Sequence, residues 1–118
     1  MTNDPEPKIE ISIELIADLA SQGVELGEDH EVEHFFLADN EMGPPAADGL
    51  VDAGYRVKGI SHFDDESAPM FGILAVHPID EPSITHAIMA SCAVGDRLGI
   101  GYDGWDVDVS RWHLKSMA

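Results

Sequence analysis

Hydrophobic spacing along this chain alternates between the helical and the strand period in a fixed order, and that order limits the fold more than any single motif. Residues 8–22 put Ile9, Ile13, Ile16 and Ala20 on one helical face, widened by Leu15 and Leu19, and Gly23 supplies a stop. Asp4 is placed to cap this helix. Its first turn tolerates Pro5 and Pro7, because N–H groups there lack intrahelical partners. The alternation of Ile9, Ile11 and Ile13 also fits a strand, so the segment reads as helix first and strand second. Residues 31–37 then run with period two, Val32, His34 and Phe36 sharing a side. Pro44-Pro45 opens a second helix through Ala46, Ala47, Leu50 and Val51 to a stop at Gly54. Residues 55–63 read as strand, Tyr55, Val57, Ser61 and Phe63 facing one way and Arg56, Lys58 and Ile60 the other. Residues 70–79 are apolar on both sides, which suits a strand inside the sheet. Asp80 and Pro82 start a third helix over residues 83–98, with a predicted buried stripe of Ile84, Ile88, Ser91, Cys92 and Gly95. A last strand covers residues 100–109, and residues 110–118 form a tail with one or two helical turns.

The resulting order is α followed by βαββαβ. This is the split βαβ pattern of ferredoxin-like α+β sandwiches, with helices on one face of a four-stranded antiparallel sheet. The extra N-terminal helix must cover an edge, an end or part of the open face, and the pattern leaves the choice open. Residues 1–7 read as a flexible acidic head, 8–112 as a single domain and 113–118 as a short tail. At 118 residues, a domain buries roughly two-thirds of its unfolded surface and needs neither disulfide nor metal to hold a core. The lone Cys92 cannot form an internal bridge, and no apolar run approaches the ~20 residues needed to span a bilayer. With an acidic N-terminus that lacks signal-peptide features, these observations predict a cytoplasmic protein.

Six Lys and Arg stand against 23 Asp and Glu, giving a net charge of −17. Such a surface repels phosphate backbones and anionic lipid, and attracts basic protein segments. The plain alternative is a surface acidic for solubility alone. Twelve of the carboxylates lie in residues 1–41, where Lys8 is the sole basic side chain, so the strongest negative field belongs to that half.

Candidate chemistry is sparse. His30-Glu31-Val32-Glu33-His34 fits H-E-x-x-H, which on a helix places two zinc ligands and a glutamate base together. Here Gly27 upstream and Phe35-Phe36-Leu37 downstream favour a strand, on which the two histidines stand ~13 Å apart. A zinc hydrolase through His30, Glu31 and His34 is therefore the least favoured reading. His62, His77, His86 and His113 show no ligand spacing, and Cys92 on an apolar stripe reads as a buried inert thiol. No G-x-S-x-G elbow, dinucleotide loop or calcium loop is present, so neither a catalytic residue, a metal nor a cofactor is expected. One cluster remains, Gly101-Tyr102-Asp103-Gly104-Trp105-Asp106. Glycine inside a strand tends to mark a bulge, and an aromatic pair beside carboxylates has the composition of an interface anchor. The competing reading packs Tyr102 or Trp105 in the core and makes Asp103-Gly104 a tight turn.

Glu33-His34-Phe35, the helix ending in Ala53-Gly54-Tyr55-Arg56-Val57, and the long helix leading into Tyr102-Asp103-Gly104-Trp105 resemble the RraB family, regulators of ribonuclease E activity. The similarity spans roughly residues 10–109, and the Tyr-Asp-Gly-Trp signature is its specific part. It implies a ferredoxin-like sandwich without catalytic activity that binds an endoribonuclease of the ribonuclease E type and modulates RNA cleavage, by inhibition. Some members carry a long acidic C-terminal tail, whereas here the sequence closes on Lys115-Ser116-Met117-Ala118 and its acidity lies in the first third. The expected partner is basic protein, not nucleic acid or membrane, met by Glu31, Glu33, Tyr102, Asp103, Gly104, Trp105 and Asp106 in a monomer or homodimer. The alternative is a homodimeric ferredoxin-like module that senses or binds a small ligand, joined through its open sheet face.

Overall fold

A computed structural model describes residues 3–63 and 68–107. The first helix, α1 (Pro5–Ser21), starts where the sequence places a cap: the Asp4 carboxylate accepts from the Glu6 backbone N–H at 3.1 Å. Pro5 and Pro7 therefore lie inside its first turn, so residues 5–7, expected in a flexible head, are helical, because the Asp4 cap starts the helix three residues earlier than its apolar face. Asn3 anchors the chain ahead of it, since its side-chain amide donates to the Ile100 carbonyl and its carbonyl accepts from the Tyr102 N–H.

Strand β1 (His30–Leu37) follows. A short 3-10 turn (Asn40–Met42) leads into helix α2 (Gly43–Asp52), and the strands β2 (Arg56–Phe63) and β3 (Met70–His77) come next. Helix α3 (Glu81–Leu98) is capped by Asp80, which accepts from the Ser83 N–H at 2.9 Å. It ends at Gly99, whose φ of +72° a side chain would resist, with Ile100 N–H returning to the Gly95 carbonyl. Strand β4 (Gly101–Val107) closes the described part. Residues 108–109 of the expected last strand, and the tail, lie outside the described residues.

The sheet order is β2-β3-β1-β4 with every neighbouring pair antiparallel, the ferredoxin-like arrangement expected from the sequence. The apolar strand β3 is central, as its two-sided hydrophobicity requires. One sheet face is packed under the helices: Val32, Phe36, Phe71, Ile73 and Ala75 have no exposed surface and meet Ile84 and Ile88 of α3 and Leu50 of α2 in one core. Burial of each large apolar side chain there contributes about 1.5–3 kcal/mol. The buried residues of α3 include the whole predicted stripe, Ile84, Ile88, Ser91, Cys92 and Gly95.

Two features depart from the pattern or complete it. The extra helix α1 lies beside α3 and along β4, where the Trp105 indole N–H donates to Ser12 Oγ at 2.8 Å. It extends the helical layer past the sheet edge and leaves the opposite sheet face uncovered by any described helix. In β2 the expected alternation fails. The register against β3 slips between Val57 and Gly59, so Val57 and Ile60, assigned to opposite sides, both turn to the core. An extra residue at Lys58 adds one step to the two-residue period and exchanges the faces beyond it.

Candidate interaction face

Strand β1 sorts its side chains by alternation. His30, Val32, His34 and Phe36 point to the helices and are buried, while Glu31, Glu33, Phe35 and Leu37 point to the open side. The H-E-x-x-H segment is therefore divided between the two faces, its histidines inside and its glutamates outside. A metalloprotease helix would gather them on one side. Among the described residues no group of three His, Cys, Asp or Glu is placed to hold a metal ion.

The inward histidines serve the core. His77 Nδ1 lies 2.7 Å from the Pro78 carbonyl oxygen, an acceptor only, so this nitrogen carries the proton and donates. Neutral His77 then offers Nε2 as an acceptor, and His34 Nε2–H, 2.9 Å away, donates to it. His34 Nδ1 is left as an acceptor for the Tyr102 hydroxyl at 2.8 Å. One fixed carbonyl thus orders every proton in the chain Tyr102 to His34 to His77. Burial, then the neighbouring His77, holds the His34 pKa down to about 3; burial also lowers His77 and raises Tyr102. Ser91 adjoins Tyr102 yet makes no hydrogen bond of ordinary geometry. These groups are neutral structural locks. At the surface end of the same region Tyr55 and His86, hydrogen-bonded to each other, line a cleft of about 360 Å³ with His77, Pro78 and Pro82. Cys92 is buried, and burial raises its thiol pKa, the environment of an inert side chain.

The uncovered face differs in character. Glu33 stands directly opposite Asp106 across the β1–β4 ladder. Like charges in that position are unfavourable, and neither carboxylate has a cationic partner among the described residues. Glu31 is next along the strand and meets Lys58. Together with Leu74 and Val107 these three acids line a shallow depression of about 330 Å³. Glu33 leans over β3 because Gly72, the cross-strand partner of Phe35, has no side chain: a Cβ there would stand 2.7 Å from Glu33 Cγ. Further along β1 the face turns apolar. The Phe35 and Phe63 rings meet at 5.9 Å, and Leu37 and Phe63 are 47 % and 36 % exposed.

Of the residues singled out from sequence, the structure gathers Glu31, Glu33 and Asp106 on this one face. Tyr102 belongs elsewhere: at 2 % exposure it is a core side chain, out of reach of a partner in this conformation. The reason is a bulge. Phe35 pairs with Gly104 and Phe36 with Tyr102, which leaves Asp103 as the extra residue and Gly104 at φ +128°. The bulge lets Tyr102 and Trp105, three positions apart, both turn inward. Trp105 is half-buried beneath α1, and Asp103, Gly104 and Trp105 border a groove with Lys8, Ile11, Ser12 and Leu15. The sequence reading missed Phe35, Leu37 and Phe63 as surface features, although the alternation of β1 already placed Phe35 and Leu37 beside the glutamates. His77 carried no signal, being one polar residue in an apolar strand.

Fold and surface define a ferredoxin-like α+β domain that buries His30, His34 and His77 and presents an uncovered sheet face, acidic at one end and apolar at the other. Among the described residues no helix is long and apolar enough to cross a membrane. The chain belongs to the RraB family: it matches the family model for regulator of ribonuclease activity B over residues 9–107. Members are non-catalytic regulators of endoribonucleases of the ribonuclease E type. No curated protein matches the chain.

Proposed function

We propose that this chain restrains an endoribonuclease of the ribonuclease E type by holding a basic segment of that enzyme against its open sheet face, at Glu31, Glu33 and Asp106. The carrying observation is the acidic end of this face: Glu33 and Asp106 hold paired positions on β1 and β4, and neither has a counter-ion among the described residues. A lysine or arginine arriving at this acidic end is attracted by both carboxylates and forms charge-assisted hydrogen bonds with them. The net charge of −17 draws a cationic segment in and keeps RNA phosphates away, so regulation acts on the enzyme and not on its substrate. Asp103, exposed at the bulge, adds to the same field. The lone free Cys92 suits a reducing, cytoplasmic setting.

The test uses purified chain and purified ribonuclease of this type. Association that weakens steeply between 0.1 and 0.5 M salt, with slowed RNA cleavage, supports the reading; at the upper concentration the Debye length is roughly 4 Å. Glu33→Gln with Asp106→Asn should lower the affinity and flatten its salt dependence. Absence of association, or an affinity indifferent to salt, overturns it.

A further inference from the structure

We infer that the segment held on this face is amphipathic, with a bulky apolar side chain seated on the Phe35–Phe63 patch as well as cations on the carboxylates. The inference rests on the reading above and extends it, since charge alone gives no reason for the apolar half. Phe35 has Gly72 and Gly104 as its cross-strand partners; the Glu33 side chain lies over Gly72, and at Gly104 no side chain stands beside the ring. The Phe35 and Phe63 rings meet across β3 at that level, tilted by 52°, with Leu37 and Met70 at the border. The exposed Phe63 and Leu37 beside the half-buried Phe35 form a shallow apolar seat next to a polar rim, the composition of an interface centre.

Geometry sets the spacing of the occupant. Glu33 and Phe35 are two residues apart on β1, about 7 Å, and Glu31 to Leu37 spans about 20 Å. The partner must therefore carry its apolar side chain 7–20 Å from its cations, which is two to six residues of extended chain. A second copy of this protein is disfavoured as occupant, because it brings another −17 of charge to the face. Nucleic acid and anionic lipid are disfavoured by the same field.

The two halves are separable by experiment. Three synthetic peptides of equal length serve as probes for the full chain: one with four arginines and two leucines at this spacing, one with those leucines replaced by serine, one with the arginines replaced by glutamine. Binding is read by fluorescence anisotropy at 50 and 500 mM salt. The arginine–leucine peptide should bind at least tenfold more tightly than the arginine–serine peptide. Leu37→Ser with Phe63→Ser should reduce that advantage to within twofold and leave the salt dependence unchanged. Both side chains are partly exposed, so the fold survives, and unchanged circular dichroism checks it. Equal affinity for the two cationic peptides, or no effect of the double substitution, overturns the inference. A dimer in light scattering that Leu37→Ser dissolves overturns it in favour of self-association. Full ribonuclease binding by the Leu37→Ser, Phe63→Ser chain sinks the apolar seat alone, whereas failure of the unmodified chain to bind ribonuclease sinks the underlying reading.

Discussion

Acid should weaken this fold through His34, against the trend set by its surface. Above pH 6.5 His34 is neutral in both folded and unfolded chains and adds no pH dependence. Below that value the unfolded chain takes up a proton that the folded one, with its pKa held down to about 3, refuses. The unfolded state then binds more protons, so stability falls as pH falls between 6.5 and about 3. At pH 5 the difference is 1.5 pH units, or roughly 2 kcal/mol at 1.36 kcal/mol per unit. His77, also lowered by burial, acts in the same direction. The surface acts oppositely: approaching the isoelectric point near 4.3, the carboxylates lose charge and self-repulsion falls. Comparison with His34→Gln separates the two, because the surface is common to both proteins. Urea unfolding at pH 8 and pH 5 should show the substituted protein less stable by a fixed structural cost at pH 8. At pH 5 the gap should narrow by roughly 2 kcal/mol, which is about 1 M in midpoint for an ordinary urea slope. A gap that stays constant within ~0.5 kcal/mol would show that His34 titrates alike in both states, and would refute the buried neutral chain.

The same geometry fixes three further outcomes. Tyr102→Phe leaves His34 Nδ1 buried without its donor and should cost about 1–3 kcal/mol in urea unfolding, with peptide affinity unchanged because the hydroxyl is internal. Gly104→Ala forces a side chain into φ +128° and should cost about 1 kcal/mol or more in thermal unfolding; an unchanged Tm would mean the bulge can relax. Trp105→Phe removes the donor to Ser12, so α1 should lose amide-exchange protection before α3 does, at a cost of about 1 kcal/mol.

How far the sequence can be read depends on the range of the interaction involved. Helix starts at Asp4 and Asp80 are local, each a carboxylate and prolines within a few residues, and they appear where the sequence places them. The central position of β3 follows from its composition alone. The bulge at Lys58 is not local, because it exists only relative to the partner strand, and composition gives no count of residues per step of ladder. Gly104 did flag its bulge, yet whether Tyr102 then turned inward or outward depended on the register with β1. The seat of α1 was unreadable for a similar reason: its anchors, Asn3 to Ile100 and Trp105 to Ser12, join residues more than ninety positions apart. The candidate face was half legible, since Glu31 and Glu33 came from charge pattern while the Phe63 contribution needed β2 in place.

Register joins the locks of the core to the proposed interface. Eight consecutive residues, His30–Leu37, supply His34 to the buried proton chain and Glu33 and Phe35 to the open face. A one-residue slip of β1 would carry the glutamates into the core and the histidines to solvent. Burying carboxylates in place of neutral imidazoles costs several kcal/mol, so the hydrogen-bonded histidines act as a register pin for the acids behind them. Apolar residues at 30 and 34 would bury equally well, but they would accept a shifted neighbour with little penalty, because hydrophobic contact is non-directional. The Tyr102–His34–His77 chain accepts one arrangement only, with donors and acceptors set from the Pro78 carbonyl. On this account the inward histidines maintain the spacing of Glu31, Glu33 and Phe35 on the outer face without touching a partner themselves.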